Sequence, residues 1–252
     1  MKQKEILIIA TAALLIFAVS CGQQRPKESV TVTVVEADFD FEDGRHSIDV
    51  KMDREIEEDE STFGYVHAFG NAAEAWEKEI DKIYQTLMTK LQGDCRNKLQ
   101  TAQKAWLAFK EDETTFINSY WAQFSGSMFS VFSASHRLFV VRQRAFQLYS
   151  YYDKNIYAPD CYLETDKYKT EEEWDKVLNE NYQALMKKLG KENQDKMRAA
   201  QRKWLAYRDA EDDCYNSCCL LIVNPDYLLL LIQERALRLG KYSNDFDSFY
   251  ED

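Results

Sequence analysis

The chain has 252 residues, 45% of them hydrophobic and 30% charged, enough apolar material to pack one large domain or two small ones. With only 8 Gly and 3 Pro it lacks the turn formers that an all-β fold consumes, so a helical protein is expected. Its formal charge of −11 disfavours nucleic-acid binding and suits a cationic partner, although charge also serves plain solubility.

Lys2 and Lys4 precede an apolar run over residues 6–19, followed by Ser20, Cys21 and Gly22. A charged start, a short apolar stretch and a small residue at its end are the marks of an export signal over 1–20, since a comfortable membrane span needs about 20 apolar residues. Ala18-Val19-Ser20-Cys21 resembles a bacterial lipobox, which implies that Cys21 becomes the lipidated first residue. A plain signal peptide with an incidental cysteine is the alternative. Loss of Lys2, Lys4 and Glu5 with the first 20 residues takes the charge from −11 to −12. The expected location is the bacterial cell envelope, with the protein held to a membrane by acyl chains and facing the periplasm or the exterior.

Residues 21–69 read as tether, hairpin and linker. Val30, Val32 and Val34, then Phe39 and Phe41, alternate in the strand period; Asp43-Gly44 is a turn signal, and Ile48, Val50 and Met52 alternate again. A β-hairpin over 29–52 lying on the helical body and a disordered acidic arm both fit, as does a strand offered to a partner's sheet edge. The charges of 53–60 suggest a solvated linker.

The first helical unit is placed at 70–154. Asn71-Ala72-Ala73-Glu74 has the form of a capping box, and Trp76, Ile80, Ile83, Tyr84, Leu87 and Leu91 follow at helical spacing. Gly93 and Asp94 mark a break, and the second helix carries Leu99, Ala102, Trp106, Phe109, Phe116 and Tyr120 on one face. So short a link favours an antiparallel helix pair. Ser125-Gly126-Ser127 interrupts the pattern amid Tyr120, Trp121, Phe124, Phe129 and Phe132, and a third helix is expected from about Ser135. These aromatics are first of all core material. They are also the best apolar contact candidates in this half, which singles out Phe124, Ser125, Met128 and Phe129 for a partner.

The second unit, 155–242, opens with a connector and a capping box, Thr170-Glu171-Glu172-Glu173. Trp76/Trp174, Tyr84/Tyr182, Leu87/Leu185, Met88/Met186, Leu91/Leu189, Gln103/Gln201 and Trp106/Trp204 share an offset of 98, which marks an internal duplication. The offset falls to 91 at Arg144-Ala145/Arg235-Ala236, so the second copy is shorter between its second and third helices. Its third helix should begin near Pro225-Asp226, and 243–252 is an acidic tail expected to fray. The fold class is therefore all-α: two tandem three-helix units forming antiparallel bundles, with or without the N-terminal hairpin.

Leu178-Asn179-x-x-Tyr182-x-x-Leu185, followed by Met197-x-x-Ala200-Gln201-Arg202-Lys203-Trp204-Leu205-x-Tyr207-Arg208-Asp209-Ala210, resembles the LprI-like lysozyme-inhibitor family. The resemblance is strong over 174–240, weaker over 76–153 and absent over 22–70. It implies a small, exported, often lipidated helical domain, some of whose relatives inhibit lysozyme. Physically the signature (Trp174, Tyr182, Gln201, Trp204, Tyr207, Arg208, Asp209, with Trp106 in the first copy) reads as fold-specifying. Trp204 and Tyr207 are expected to lock the second helix onto the first. Arg208 and Asp209, adjacent on a helix, are each expected to bond a neighbouring helix or loop.

Cys95, Cys161, Cys214, Cys218 and Cys219 are disulfide candidates in an exported chain, and an odd number leaves one free or linking chains. The resemblance implies Cys161 with Cys214 or Cys218. Cys214 and Cys218 share a helix face, yet His46, His67 and His136 lie far away in sequence, so no metal is expected. No cofactor motif or nucleophile elbow is present, and the carboxylates fall at helix-surface spacings, so no enzyme is expected. The leading expectation is a non-enzymatic envelope binding protein that inhibits a cationic lysozyme-type hydrolase through the loops between helices. The alternative is a structural or assembly module with an endogenous envelope protein as partner.

Overall fold

A computed structural model describes residues 41–42, 45–151, 170–218 and 227–250. Two short strands, β1 (Phe41–Glu42) and β2 (Arg45–His46), pair antiparallel, with Phe41 opposite His46 and Glu42 opposite Arg45. Seven helices follow among the described residues: α1 (Ser47–Glu58), α2 (Thr62–Lys90), α3 (Gly93–Trp121), α4 (Met128–Ser150), α5 (Glu171–Lys188), α6 (Lys191–Cys218) and α7 (Tyr227–Tyr250). The fold is all-α, and no described helix is long and apolar enough to cross a membrane. Cys21 and Cys161 lie outside the described residues, as does most of the expected first hairpin strand.

Several boundaries differ from expectation for identifiable reasons. Ile48, Val50 and Met52 belong to α1 and not to a strand, because Ile48, Met52 and Ile56 also recur every four residues. The helix takes in Asp53 to Glu58, so most of the charge run is helical. Asn71 caps nothing: α2 starts nine residues earlier at Thr62, where the Ser61 side chain accepts the Gly64 N–H at 3.1 Å. The Asn71 amide instead donates to Glu55 of α1 at 3.0 Å. Helix α4 begins at Met128, about two turns before the expected start. Most of the acidic tail is helical too, because Phe246 and Phe249 pack on the aromatic cluster of α3 and α4. The Thr170 capping box forms as read, with both reciprocal hydrogen bonds.

The strongly packed pairs join helices distant in sequence. Helix α2 packs on α4, α5 on α7 and α3 on α6, whereas the consecutive pair α2 and α3 is not among them. Within each copy the first and third helices embrace, and the second helices of the two copies lie on one another. Three contacts fix the α3–α6 direction: Lys98 to Asp213 at 2.8 Å, Phe109 stacked on Tyr207 at 6.0 Å, and Ser119 to Asn193 at 2.5 Å. Residue numbers rise along one helix as they fall along the other, so the pair is antiparallel. Phe109 and Tyr207 are equivalent positions, 98 apart, and their face-to-face contact marks a local two-fold axis between the copies.

Helix α1 is an addition to the first copy. Its Asp49, 5% exposed, accepts from Arg142 at 2.7 to 3.1 Å and from the Trp76 indole at 3.1 Å. His46 Nδ1 accepts the Ile48 N–H, which leaves the proton on Nε2 to be donated to the Tyr149 hydroxyl at 3.2 Å; Tyr149 in turn donates to Glu79 at 2.6 Å.

Candidate functional site

The duplicated signature is buried around the local two-fold axis. Arg144 of α4 is fully buried; its Nε donates to Gln103 at 3.0 Å, and its Nη1 to Tyr207 at 3.1 Å and to Glu211 at 2.8 Å. Arg235 of α7 repeats the arrangement: Nε to Gln201 at 3.0 Å and Nη1 to Glu113 at 2.8 Å. The pairs are crossed. Each arginine binds the glutamine of its own copy and the carboxylate of the other. The cation faces follow the same rule, with Arg144 over Trp106 and Tyr207 and Arg235 over Trp204 and Phe109.

Hydroxyls complete this core. Tyr207 donates to Gln147, and Tyr151 donates to Glu211 at 2.6 Å. Burial pushes the pKa of both phenols up, so they remain neutral donors. The cavity here is only about 20 Å³, too small for a ligand. Glu113 and Glu211 are therefore committed to neutralising arginines in a closed interior.

Sequence-predicted residues separate accordingly. Trp106, Trp204 and Tyr207 are buried and Gln201 is half-buried, all in this core; Trp174 is buried on α5 and Tyr182 half-buried beside it. Trp204 and Tyr207 lock α6 against α3, α4 and α7 rather than against the preceding helix α5. Arg208 and Asp209, expected to find separate partners, bond each other at 2.7 and 2.9 Å on the surface, where the guanidinium also lies over Trp204. Cys214 is buried and Cys218 half-buried near the end of α6.

Phe124, Ser125, Met128 and Phe129 gather at the opposite end of the α3–α6 pair. Gly126 adopts φ +125°, a conformation that favours glycine, and the turn over 125–127 reverses the chain from α3 into α4. Phe124 and Phe129 stack at 5.0 Å and are half-buried, with Trp121 beneath them. Met128 stays 49% exposed. The structure adds a residue that sequence reasoning missed. Phe63, in the first turn of α2, is 75% exposed, and its neighbour Thr62 approaches Ser127 at 3.5 Å. Two exposed apolar side chains are thus carried by neighbouring segments at this end, while Leu107 of α3 and Leu205 of α6 are exposed elsewhere on the surface. Glu57 and Glu58 end α1 just before the Phe63 segment and Asp59 and Glu60 follow them, all exposed. A shallow cavity of about 330 Å³, lined by Val66, Asn118, Trp121, Phe124, Phe129 and Arg137, opens at the same end.

Gly64 is what lets the acidic corner sit there. A Cβ at this position would collide with the Asp59 backbone carbonyl, so only glycine allows α1 to end directly against the first turn of α2. Asp59 accepts the Ser61 N–H at 2.9 Å, and hydrogen bonding from the Ser61 side chain, together with that N–H, holds its carboxyl below the usual range.

The family model for "Lysozyme inhibitor LprI" matches residues 56–148 and 166–239, one segment per helical copy. The chain belongs to the LprI lysozyme-inhibitor family. The match begins in α1 and ends in α7, so it spans the crossed core and the aromatic end of this LprI-family chain. No curated protein matches the chain. Among solved structures it is similar to the crystal structure of an uncharacterized protein from Burkholderia thailandensis, with 25% identity and a TM-score of 0.65. That similarity covers 79% of this chain and 97% of the other, so nearly the whole of that protein shares this architecture.

Proposed function

We propose that this LprI-family chain is a non-enzymatic binding protein of the bacterial envelope, lipid-anchored through Cys21, that inhibits a cationic lysozyme-type hydrolase. The carrying observation is the pairing of exposed Phe63 and Met128 with the four carboxylates of residues 57–60 at one end of the bundle. Apolar anchors give a complex its lifetime, while surrounding negative charge speeds encounter with a basic protein and weakens with salt. Family membership supports lysozyme as the target class.

The test is a binding and inhibition titration of the purified chain against a basic lysozyme across ionic strength. Stoichiometric inhibition at low salt, weaker as salt rises, is expected. The double variant Phe63→Ser with Met128→Ser should raise Kd at least about tenfold while leaving the melting temperature unchanged, because both side chains are surface-exposed. Absence of inhibition at stoichiometric excess in low salt refutes the proposal. Recovery of an endogenous envelope protein in its place, by pull-down from envelope extracts, then supports the assembly-module reading.

A further inference from the structure

The end of the α3–α6 pair remote from the aromatic cluster holds three thiols from two helices. Lys98 of α3 and Asp213 of α6, 2.8 Å apart, fix the local register. Cys95 lies one turn before Lys98, and Cys218 lies just beyond one turn after Asp213, so the antiparallel pairing brings them opposite each other. Cys218 is within hydrogen-bonding reach of both Cys95 and Cys214, and Cys214 in turn of the Tyr151 hydroxyl. The positions of the first copy equivalent to Cys214 and Cys218 are Phe116 and Tyr120, and the counterpart of Cys95 is Asn193. The thiol cluster therefore belongs to one end only.

We propose that Cys95 and Cys218 form a disulfide that staples the two copies of the repeat together. Three observations select this pair. Cys214 and Cys218 sit four apart on one helix, where Cβ atoms are roughly 5–6 Å apart, whereas a disulfide needs about 3.5–4.5 Å. Cys95 and Cys218 come from different helices, so side-chain rotation can bring the sulfurs together without breaking either backbone. Both are half-buried and reachable, while Cys214 is buried against the Tyr151–Glu211 pair.

The reaction is exchange with a disulfide-bearing oxidant, either a small-molecule disulfide or a protein one. The Cys95 thiolate attacks one sulfur of that disulfide and expels the other as a thiolate, leaving a mixed disulfide. Cys218, giving its proton to water, attacks Cys95 Sγ and expels the oxidant's second sulfur. Two protein thiols become one disulfide and the oxidant becomes two thiols, so electrons balance. In the cell the step relies on the envelope location proposed above; the pairing itself does not. It also lies at the far end from Phe63 and Met128, so it should leave hydrolase binding alone.

Two measurements decide the matter. The full chain is isolated with iodoacetamide present from lysis, digested, and mapped by mass spectrometry. A second portion is reduced and reoxidised with oxidised glutathione before the same mapping. A peptide bearing Cys95 linked to the peptide carrying residues 209–235 is expected, lost in Cys95→Ser and Cys218→Ser and retained in Cys214→Ser and Cys219→Ser. Closing a loop of this length should raise the melting temperature by roughly 5–15 °C over the reduced chain, and Cys95→Ser should melt like reduced wild type. Linkage to Cys161, a Cys214–Cys218 bond, or a Cys95 that remains alkylated after glutathione oxidation overturns the proposal. A chain reduced on isolation that forms the Cys95–Cys218 bond with glutathione supports the pairing and counts against the envelope location instead.

Discussion

Replacing Arg144 with alanine tests the crossed core most directly. The wild-type guanidinium is fully buried and supplies Nε to Gln103, and Nη1 to both Tyr207 and Glu211. Alanine leaves the Glu211 carboxylate, itself 0% exposed, with the Tyr151 hydroxyl but without its arginine. An unpaired buried charge costs far more than the pair is worth: breaking one partner is expected to destabilise by about 3–5 kcal/mol, while replacing both with apolar residues of similar volume is close to neutral. Arg144→Ala should therefore lose about 3–5 kcal/mol, and Arg144→Met with Glu211→Leu should recover most of it. Arg235→Ala should fall at the low end of that range, because Glu113 keeps a second cation, Arg238, at 3.9 Å. Urea denaturation followed by far-UV circular dichroism gives all three values. Each buried pair joins one copy's third helix to the other copy's second, so the single variant should unfold both copies in one transition. A loss under about 1 kcal/mol, additive behaviour in the double variant, or two separated transitions would refute the crossed-pair account.

Gly64→Ala should cost about 2 kcal/mol or more, since the new methyl group meets the Asp59 carbonyl, and should also weaken hydrolase binding by displacing the acidic corner; calorimetry and the inhibition assay report the two effects separately. The His136 imidazole is packed against Trp121 and Tyr242, and burial, reinforced by Arg238 and Lys241, lowers its pKa to about 3. The unfolded chain then binds a proton that the native state refuses, so this contribution is complete above about pH 6.5 and is lost on acidification at up to ~1.4 kcal/mol per pH unit. His136→Phe should flatten that part of the slope in urea midpoints taken from pH 4 to 7, and an unchanged slope would show that other groups carry it. Sedimentation of the chain with a basic lysozyme should give one hydrolase per chain, because among the described residues Phe63 and Met128 are exposed beside the acidic corner at one end.

The repeat, the helical class and the second-copy capping box were legible because each leaves a periodic trace in the chain. Trp106 and Trp204 recur at one offset and both pack inside; Thr170 and Glu173 satisfy the helix end that their spacing announces. Glu113 and Arg144 left a weaker signal of the same kind. Each is a charge on an otherwise apolar stripe, flanked by Phe109 and Phe116 or by Val141 and Leu148, and each recurs in the other copy as Glu211 and Arg235. That pattern speaks for burial and pairing. It cannot say which arginine takes which carboxylate, because pairing within a copy and pairing across copies use the same residue types at the same offsets. Phe63 was illegible for a different reason: nothing in Thr62-Phe63-Gly64-Tyr65 separates an exposed aromatic from one that packs inside, and only the three-dimensional approach of Thr62 to Ser127 brings it to the Met128 end.

The crossing leaves the two ends of the duplicated chain unlike each other. Because α3 and α6 are antiparallel about the local two-fold axis, the C-terminus of α3 and the C-terminus of α6 lie at opposite ends of the pair. The shared core, with its paired arginines and carboxylates, constrains both copies alike and leaves little freedom for change. The ends carry no such constraint. At one of them lie the acidic corner that follows α1 and the exposed Phe63 and Met128; at the other, positions that are aromatic in the first copy carry the thiols Cys214 and Cys218 in the second, opposite Cys95. The proposed recognition end and the proposed Cys95–Cys218 bond are thereby separated by most of the length of two helices of 29 and 28 residues, about 40 Å at 1.5 Å per residue. A scaffold held through its centre by crossed ion pairs can in this way specialise its two ends independently.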